Sequence, residues 1–150
     1  MADLRDEVVR VVSLNDNPIS YCGMGHIGLL EQYQLYHHPS RERGYEKTPA
    51  KYLGFRYDGQ LQSYHKVERW DEVDDLSAAL NELTGREFKR SVLGWAHYFL
   101  YKLGPRLGPD RVIRSGQIRN LRYDIDMDLL LESETVKEAI AKTKARRSQS

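Results

Sequence analysis

The densest run of residues able to do chemistry is Cys22-Gly23-Met24-Gly25-His26-Ile27-Gly28, with His37-His38 close behind. Gly23–Gly28 has the G-x-G-x-x-G spacing of a dinucleotide loop, in which bare backbone approaches a pyrophosphate and a helix N-terminus faces the charge. Its context argues otherwise. The helical segment that follows, Leu29–Tyr36, is stopped by His37-His38-Pro39, the next strand opens a hairpin, and no second β-α unit comes after it. The loop reads instead as a glycine corner that a flat ligand can approach, and whether it would take a phosphate or a base stays open. Cys22, His26, His37 and His38 are zinc-type ligands, and Cys22 and His26 have tolerated spacing. Adjacent His37 and His38 do not easily turn toward one ion, so no metal and no cofactor is expected.

Asp124, Asp126 and Asp128 line one side of an alternating segment, as nuclease carboxylates do. Residues two apart on a strand are about 6.5 Å apart along it, too far to converge on a hard cation without help. Glu87-Phe88-Lys89 has the acid-x-Lys order of some nucleases but follows a helix end, and no G-x-S-x-G elbow is present. These residues read as solvated charges, and no catalytic residue is assigned.

The aromatic content offers more: ten Tyr, three Phe and two Trp. Tyrosine and tryptophan stack on splayed bases while an amide or side chain reads the base edge. Along Lys51–Trp70, alternation puts Tyr52, Gly54 and Arg56 on one face and Leu53, Phe55 and Tyr57 on the other, with the Tyr52 face as the candidate accessible surface. Arg86–Arg122 carries nine basic residues against Glu87 and Asp110, a candidate basic face that could equally scatter over a folded surface.

The elements that must position these residues follow from pattern. Lys51–Trp70 reads as a hairpin about Asp58-Gly59, a pair suited to a two-residue turn with positive φ. Leu4, Val8, Val11 and Val12 have helical spacing, yet Val8–Val12 is β-branched enough for a strand, and both readings stand. Asn15–Pro18 is a turn, Ile19–Cys22 a short strand candidate, and Ser40–Pro49 a surface loop. Leu76, Ala79, Leu80 and Leu83 make one helical face ended by Thr84-Gly85. Trp95–Leu103 is an aromatic strand, Arg106–Gly116 a loop, and Gln117–Leu131 a half-buried strand. Glu134–Arg146 is a terminal helix with Val136, Ala139, Ile140 and Thr143 inward and Thr135 and Glu138 at capping-box spacing. This is an α+β order.

The totals bound the rest. A chain of 150 residues fits one domain, expected over 1–143, with a flexible basic tail at 144–150. Mean hydropathy is −0.67, and no apolar run approaches a membrane span, so no membrane partner is expected. The N-terminus is acidic where a signal peptide is positive, and a single cysteine fits a reducing compartment, so the expected location is cytoplasmic. The 23 basic and 22 acidic residues nearly cancel, which weighs against binding nucleic acid by bulk charge but leaves segregated charge open.

The runs Tyr52–Leu61 and Tyr64–Glu68 resemble the central strands of PUA-like domains, the superfamily that includes the EVE, ASCH and YTH groups. His97–Pro105 resembles a following barrel strand. The resemblance covers about a third of the chain and rests on shape-like motifs rather than catalytic ones. It implies a small, partly open β-barrel with flanking helices and a module that recognises RNA or a modified or flipped base in DNA, in RNA-modification or restriction systems. The base-binding cage has no residue-by-residue match, nor have the catalytic lysine and acid of ASCH-type amidohydrolases. The expected ligand site joins Tyr21, Gly23, Gly25, His26, Tyr52, Arg56 and Trp95 around a base, with Arg106, Arg114 and Arg119 near phosphate. The partner is then nucleic acid, alone or within a homo-oligomer or larger defence complex. Two other readings are a nuclease or small hydrolase of a defence or toxin system, built from His26, His65, His97, Asp124 and Asp126, and a protein-interaction domain using edge strands and the terminal helix.

Overall fold

The computed structural model describes residues 7–15, 25–87, 97–118 and 122–149. Its elements in chain order are β1 (Val8–Ser13), α1 (His26–Tyr33), β2 (Leu35–Pro39), β3 (Tyr52–Tyr57), β4 (Gln60–Val73), α2 (Leu76–Thr84), β5 (Tyr98–Leu103), β6 (Arg122–Asp126), α3 (Met127–Glu132) and α4 (Val136–Ser148). The fold is α+β. The six strands pair in the order β2-β5-β4-β3-β1-β6, an open mixed sheet not closed into a barrel, in which β1 and β3 run parallel and every other pairing is antiparallel.

The chain divides into two compact units, Met1–Leu14, Ala50–Lys66 and Pro105–Ser150 in the first, Asn15–Pro49 and Val67–Gly104 in the second. β4 belongs to both. Its first half pairs with β3, its second half with β5, and a register irregularity falls between Val67 and Arg69.

In the first unit the β-branched run settles as strand β1. Val9 and Val11 face one core while Val12 is buried on the other side, a two-sided burial that suits a strand paired on both edges. The hairpin forms as read, with Asp58 at φ 53° and Gly59 at φ 78°. The core joins Val9, Val11, Leu61 and Ile125 to Leu130 of α3 and to Val136, Ala139 and Ile140 of α4. Thr135 caps α4 by accepting from the Glu138 amide at 3.0 Å, while the Glu138 carboxylate accepts from the Glu134 amide.

In the second unit α1 and α2 pack on β2 and β5 through Leu29, Leu35, Leu76, Leu80, Tyr98 and Leu100. Asp75 caps α2 and Gly85, at φ 71°, ends it.

Three segments differ from the sequence reading. His37-His38-Pro39 does not stop a helix. α1 ends at Gln34, which turns left-handed at φ 56°, and Leu35–Pro39 becomes strand β2, paired along its length with β5. The strand expected to reach Leu131 ends at Asp126, because Val8, its partner there, begins β1. The Met127 amide bonds to the Glu7 carbonyl and the chain turns into α3. Lys144–Ser148, expected as a flexible tail, continues α4 because Arg146 and Arg147 are tied to Asp126 and Asp128. The strand candidate Ile19–Cys22 lies outside the described residues. Among the described residues no helix is long and apolar enough to cross a membrane.

Candidate functional site

α4 presents two faces with different charge arrangements. On one, Lys142 pairs with Glu138 at 3.0 Å and with Glu132 at 3.6 Å. Near its end, Arg146 forks onto Asp128 at 3.0 and 2.9 Å and reaches Asp126 at 3.2 Å, holding the Asp128 carboxyl below its usual range. On the other face Lys137, Ile140, Ala141 and Lys144 follow the i, i+3, i+4, i+7 pattern that aligns one side of a helix. They form one wall of a groove of about 460 Å³, whose remaining lining is Gln117, Ile118 and Tyr123. Neither groove-facing lysine has an ion-pair partner among the described residues.

The groove has a rigid frame. Gly116, at φ 75°, brings the loop against α4 so closely that a Cβ there would lie 2.9 Å from Lys137 Cβ. The Val136 and Lys137 amides, orphans of the first helical turn, donate to the Arg114 and Ser115 carbonyls at 2.8 and 3.1 Å. Tyr123 is half-buried on β6 and packs against the core beneath. Burial lowers the Arg56 guanidinium from its usual range, opposed by the nearby Tyr123 phenol. The groove therefore combines an aliphatic floor, a phenol, an amide and two cations, a set suited to a planar or partly apolar anion.

The residues expected around a ligand are distributed differently. Tyr21, Gly23, Trp95 and Arg119 lie outside the described residues. Gly25 precedes α1 and His26 opens it, in the second unit. Tyr52, Arg56, Arg106 and Arg114 belong to the first. Tyr52 and Gly54, expected on the more accessible face, lie on the face toward the α3–α4 core. Tyr52 packs there, and a Cβ on Gly54 would meet Val9, Val11 and Leu61 methyls at 3.3 Å each. The opposite face is no more open, since Leu53 and Phe55 are fully buried.

The arginine-rich loop spends much of its charge on backbone. Arg106 donates to the Gln62 carbonyl at 3.2 and 3.1 Å and to the Pro109 carbonyl at 2.9 Å. Arg111 donates to the Leu131 carbonyl at 2.8 Å and to the Ser133 carbonyl, just beyond α3. The loop runs beside the first half of β4, with Leu61–Ile113, Tyr64–Gly108 and Ser115–Gly59 backbone bonds. Arg114 keeps an exposed side chain.

In the second unit β2 and β5 build a layer of rings. His38 stacks on Tyr45 and meets Phe99 edge-on, its Nδ1 hydrogen-bonds the Pro39 carbonyl at 2.8 Å, and its Nε2 accepts from Tyr101 Oη at 2.8 Å. His26 and His37 approach to 4.7 Å between ring centres. Burial lowers His26 to about 4 and pushes His37 well below 6.5, with His26 and His38 adding to the shift. Nearby, Glu72 accepts from Ser40 Oγ at 2.5 Å and from Arg41 at 2.9 and 3.1 Å, which lowers it to about 2.

The candidate catalytic groups are separately engaged. His65 Nε2 bonds Ser63 Oγ at 2.9 Å, and His97 lies 3.4 Å from Arg41. Asp124 pairs with the buried Arg10 at 3.1 Å, while Asp126 pairs with Arg146 and Arg147. Among the described residues no group of three or more His, Cys, Asp or Glu is placed to hold a metal ion.

Groove residues Tyr123, Lys137 and Lys144 were absent from the sequence-derived site. The available signal was the face of the terminal helix next to its core stripe, where Lys137 and Lys144 flank Ala141 at helical spacing. Comparison with models of protein families, with curated proteins and with solved structures finds no match to this chain.

Proposed function

We propose that this chain is a nucleic-acid-binding module and that the α4 groove is its contact surface. The observation that carries the reading is the contrast along α4. Lys142, Arg146 and Arg147 meet carboxylates, whereas Lys137 and Lys144 face a concave, partly apolar surface without an acidic partner among the described residues. Segregation of this kind gives local positive potential to a chain whose formal net charge is only +1.

A PUA-like assignment remains part of this proposal. Support comes from the hairpin, the mixed pairing, and a strand that exchanges one partner for another at an irregularity, a device by which sheets turn corners. The recognised chemistry would be RNA or a modified or flipped DNA base, as that resemblance implies.

The reading is tested by anisotropy titration of a labelled mixed-sequence RNA with the full chain and with a Lys137→Glu/Lys144→Glu variant. Binding should weaken at least ten-fold in the variant and stay within two-fold in Lys142→Glu. Equal loss in both variants, or no binding by the parent chain, would overturn it.

A further inference from the structure

The composition of the groove, not only its charge, narrows the ligand. Resting on the nucleic-acid reading above, we infer that the groove takes single-stranded polynucleotide, with a base laid on its apolar floor beside Tyr123 and flanking phosphates held by Lys137 and Lys144.

The spacing of the charges calls for more than one phosphate. The two lysines are seven residues apart on α4, so their stems are separated by about 10.5 Å along the helix axis. Such stems are placed to take successive phosphates of a chain rather than to share one. The lining of the groove disfavours a paired helix. A duplex offers this surface only phosphate and sugar, which need no aliphatic floor, whereas Ile140 and Ala141, between the cations on α4, and Ile118, which lines the same groove, gain from covering a base face. Tyr123 adds an aromatic wall, and its ring is held by the packing beneath it, so little freedom is lost on stacking. Gln117 contributes an amide with both donor and acceptor at the same surface, the chemistry that reads a base edge. The close contact between Gly116 and Lys137 fixes the loop carrying Gln117 against the helix carrying the lysines, so base and phosphate contacts share one frame.

An anionic lipid would also meet cations beside an apolar floor. The floor here is three aliphatic side chains flanked by polar groups, better matched to a flat ring than to an acyl chain.

Anisotropy with the full chain tests the inference using labelled oligo(U) and oligo(dT) of two, four, eight and twelve nucleotides, a twelve-base-pair duplex, and phosphatidylserine vesicles. Affinity should rise between two and eight nucleotides, and single strands should bind at least ten-fold tighter than the duplex. Lys137→Gln and Lys144→Gln should each reduce the slope of log affinity against log salt by about 0.7. Tyr123→Leu should weaken single-strand binding roughly ten-fold or more, and Tyr123→Phe, which keeps both ring and fold, should leave it within three-fold. Equal, lysine-dependent binding of duplex and single strand would overturn this inference while leaving the broader function standing. Vesicle binding that depends on the same lysines, with no oligonucleotide binding, would overturn both.

Discussion

At the residue scale, Gly54 shows how one missing methyl sets what a strand face can be. The Tyr52–Gly54–Arg56 face looks available from alternation alone, yet β1 and Leu61 crowd Gly54 until a Cβ would sit 3.3 Å from three methyl groups. Gly54→Val should therefore lower unfolding free energy by about 1–3 kcal/mol, read by urea denaturation. A neutral result would mean that this face is not a packed one. His26 makes a second residue-scale case. Burial holds its pKa at about 4 against the usual 6.5, so the unfolded chain takes up the proton first as pH falls. Stability from keeping His26 neutral is complete above 6.5 and drains away between 6.5 and 4, on the order of 3 kcal/mol for this group alone. The neighbours facing it are Tyr36 and His37 of β2, the latter also held neutral. Carboxylates of an unfolded chain also take up protons near the lower end of this window, so the readout is a difference. Melting curves from pH 7.5 to 4.5 should fall less steeply for His26→Phe than for the parent, and parallel curves would count against a buried neutral imidazole.

At the element scale, Thr135 and Gly59 carry specific local duties. Thr135→Ala removes the acceptor for the Glu138 amide and should cost about 1 kcal/mol in urea unfolding. Because α4 carries both groove lysines, the same variant should also loosen hydrogen-exchange protection in its first turn. Elements whose signals are local were legible in the sequence: the Asp58-Gly59 turn, the Gly85 end of α2, and the inward stripe Val136, Ala139, Ile140 and Thr143. Those that depend on distant partners were not. β6 stops opposite the residue where β1 begins, which Arg122–Asp128 alone does not encode. His37-His38-Pro39 is a strand because β5 lies beside it. The groove was hidden for a similar reason. Whether a cation on α4 is neutralised depends on Asp126 and Asp128, which precede the helix and lie on other elements, and on Glu132 of α3. The arginines of the 106–116 loop drew attention by abundance, and the structure commits Arg106 and Arg111 to carbonyls.

At the scale of the whole molecule, two cores share one continuous strand. Leu80 is fully buried in the second unit, and Leu80→Ala should cost about 2–5 kcal/mol there. If β4 couples the units, intrinsic tryptophan emission, to which Trp70 of the second unit contributes, and far-ultraviolet ellipticity, which reports both units, should shift together in denaturant. Separated midpoints in Leu80→Ala would instead show that the strand does not transmit stability. The irregularity at Val67–Arg69 has a consequence for how such a strand can change over generations. Val67 stands opposite Leu103 and Arg69 opposite Lys102, so Glu68 is a supernumerary residue between two consecutive rungs. It acts as a phase slip: the inside–outside rhythm of Leu61, Ser63 and His65 need not continue into Trp70 and Val73. Each half of β4 can thus vary to suit its own core, and deleting Glu68 would force two independent rhythms into one.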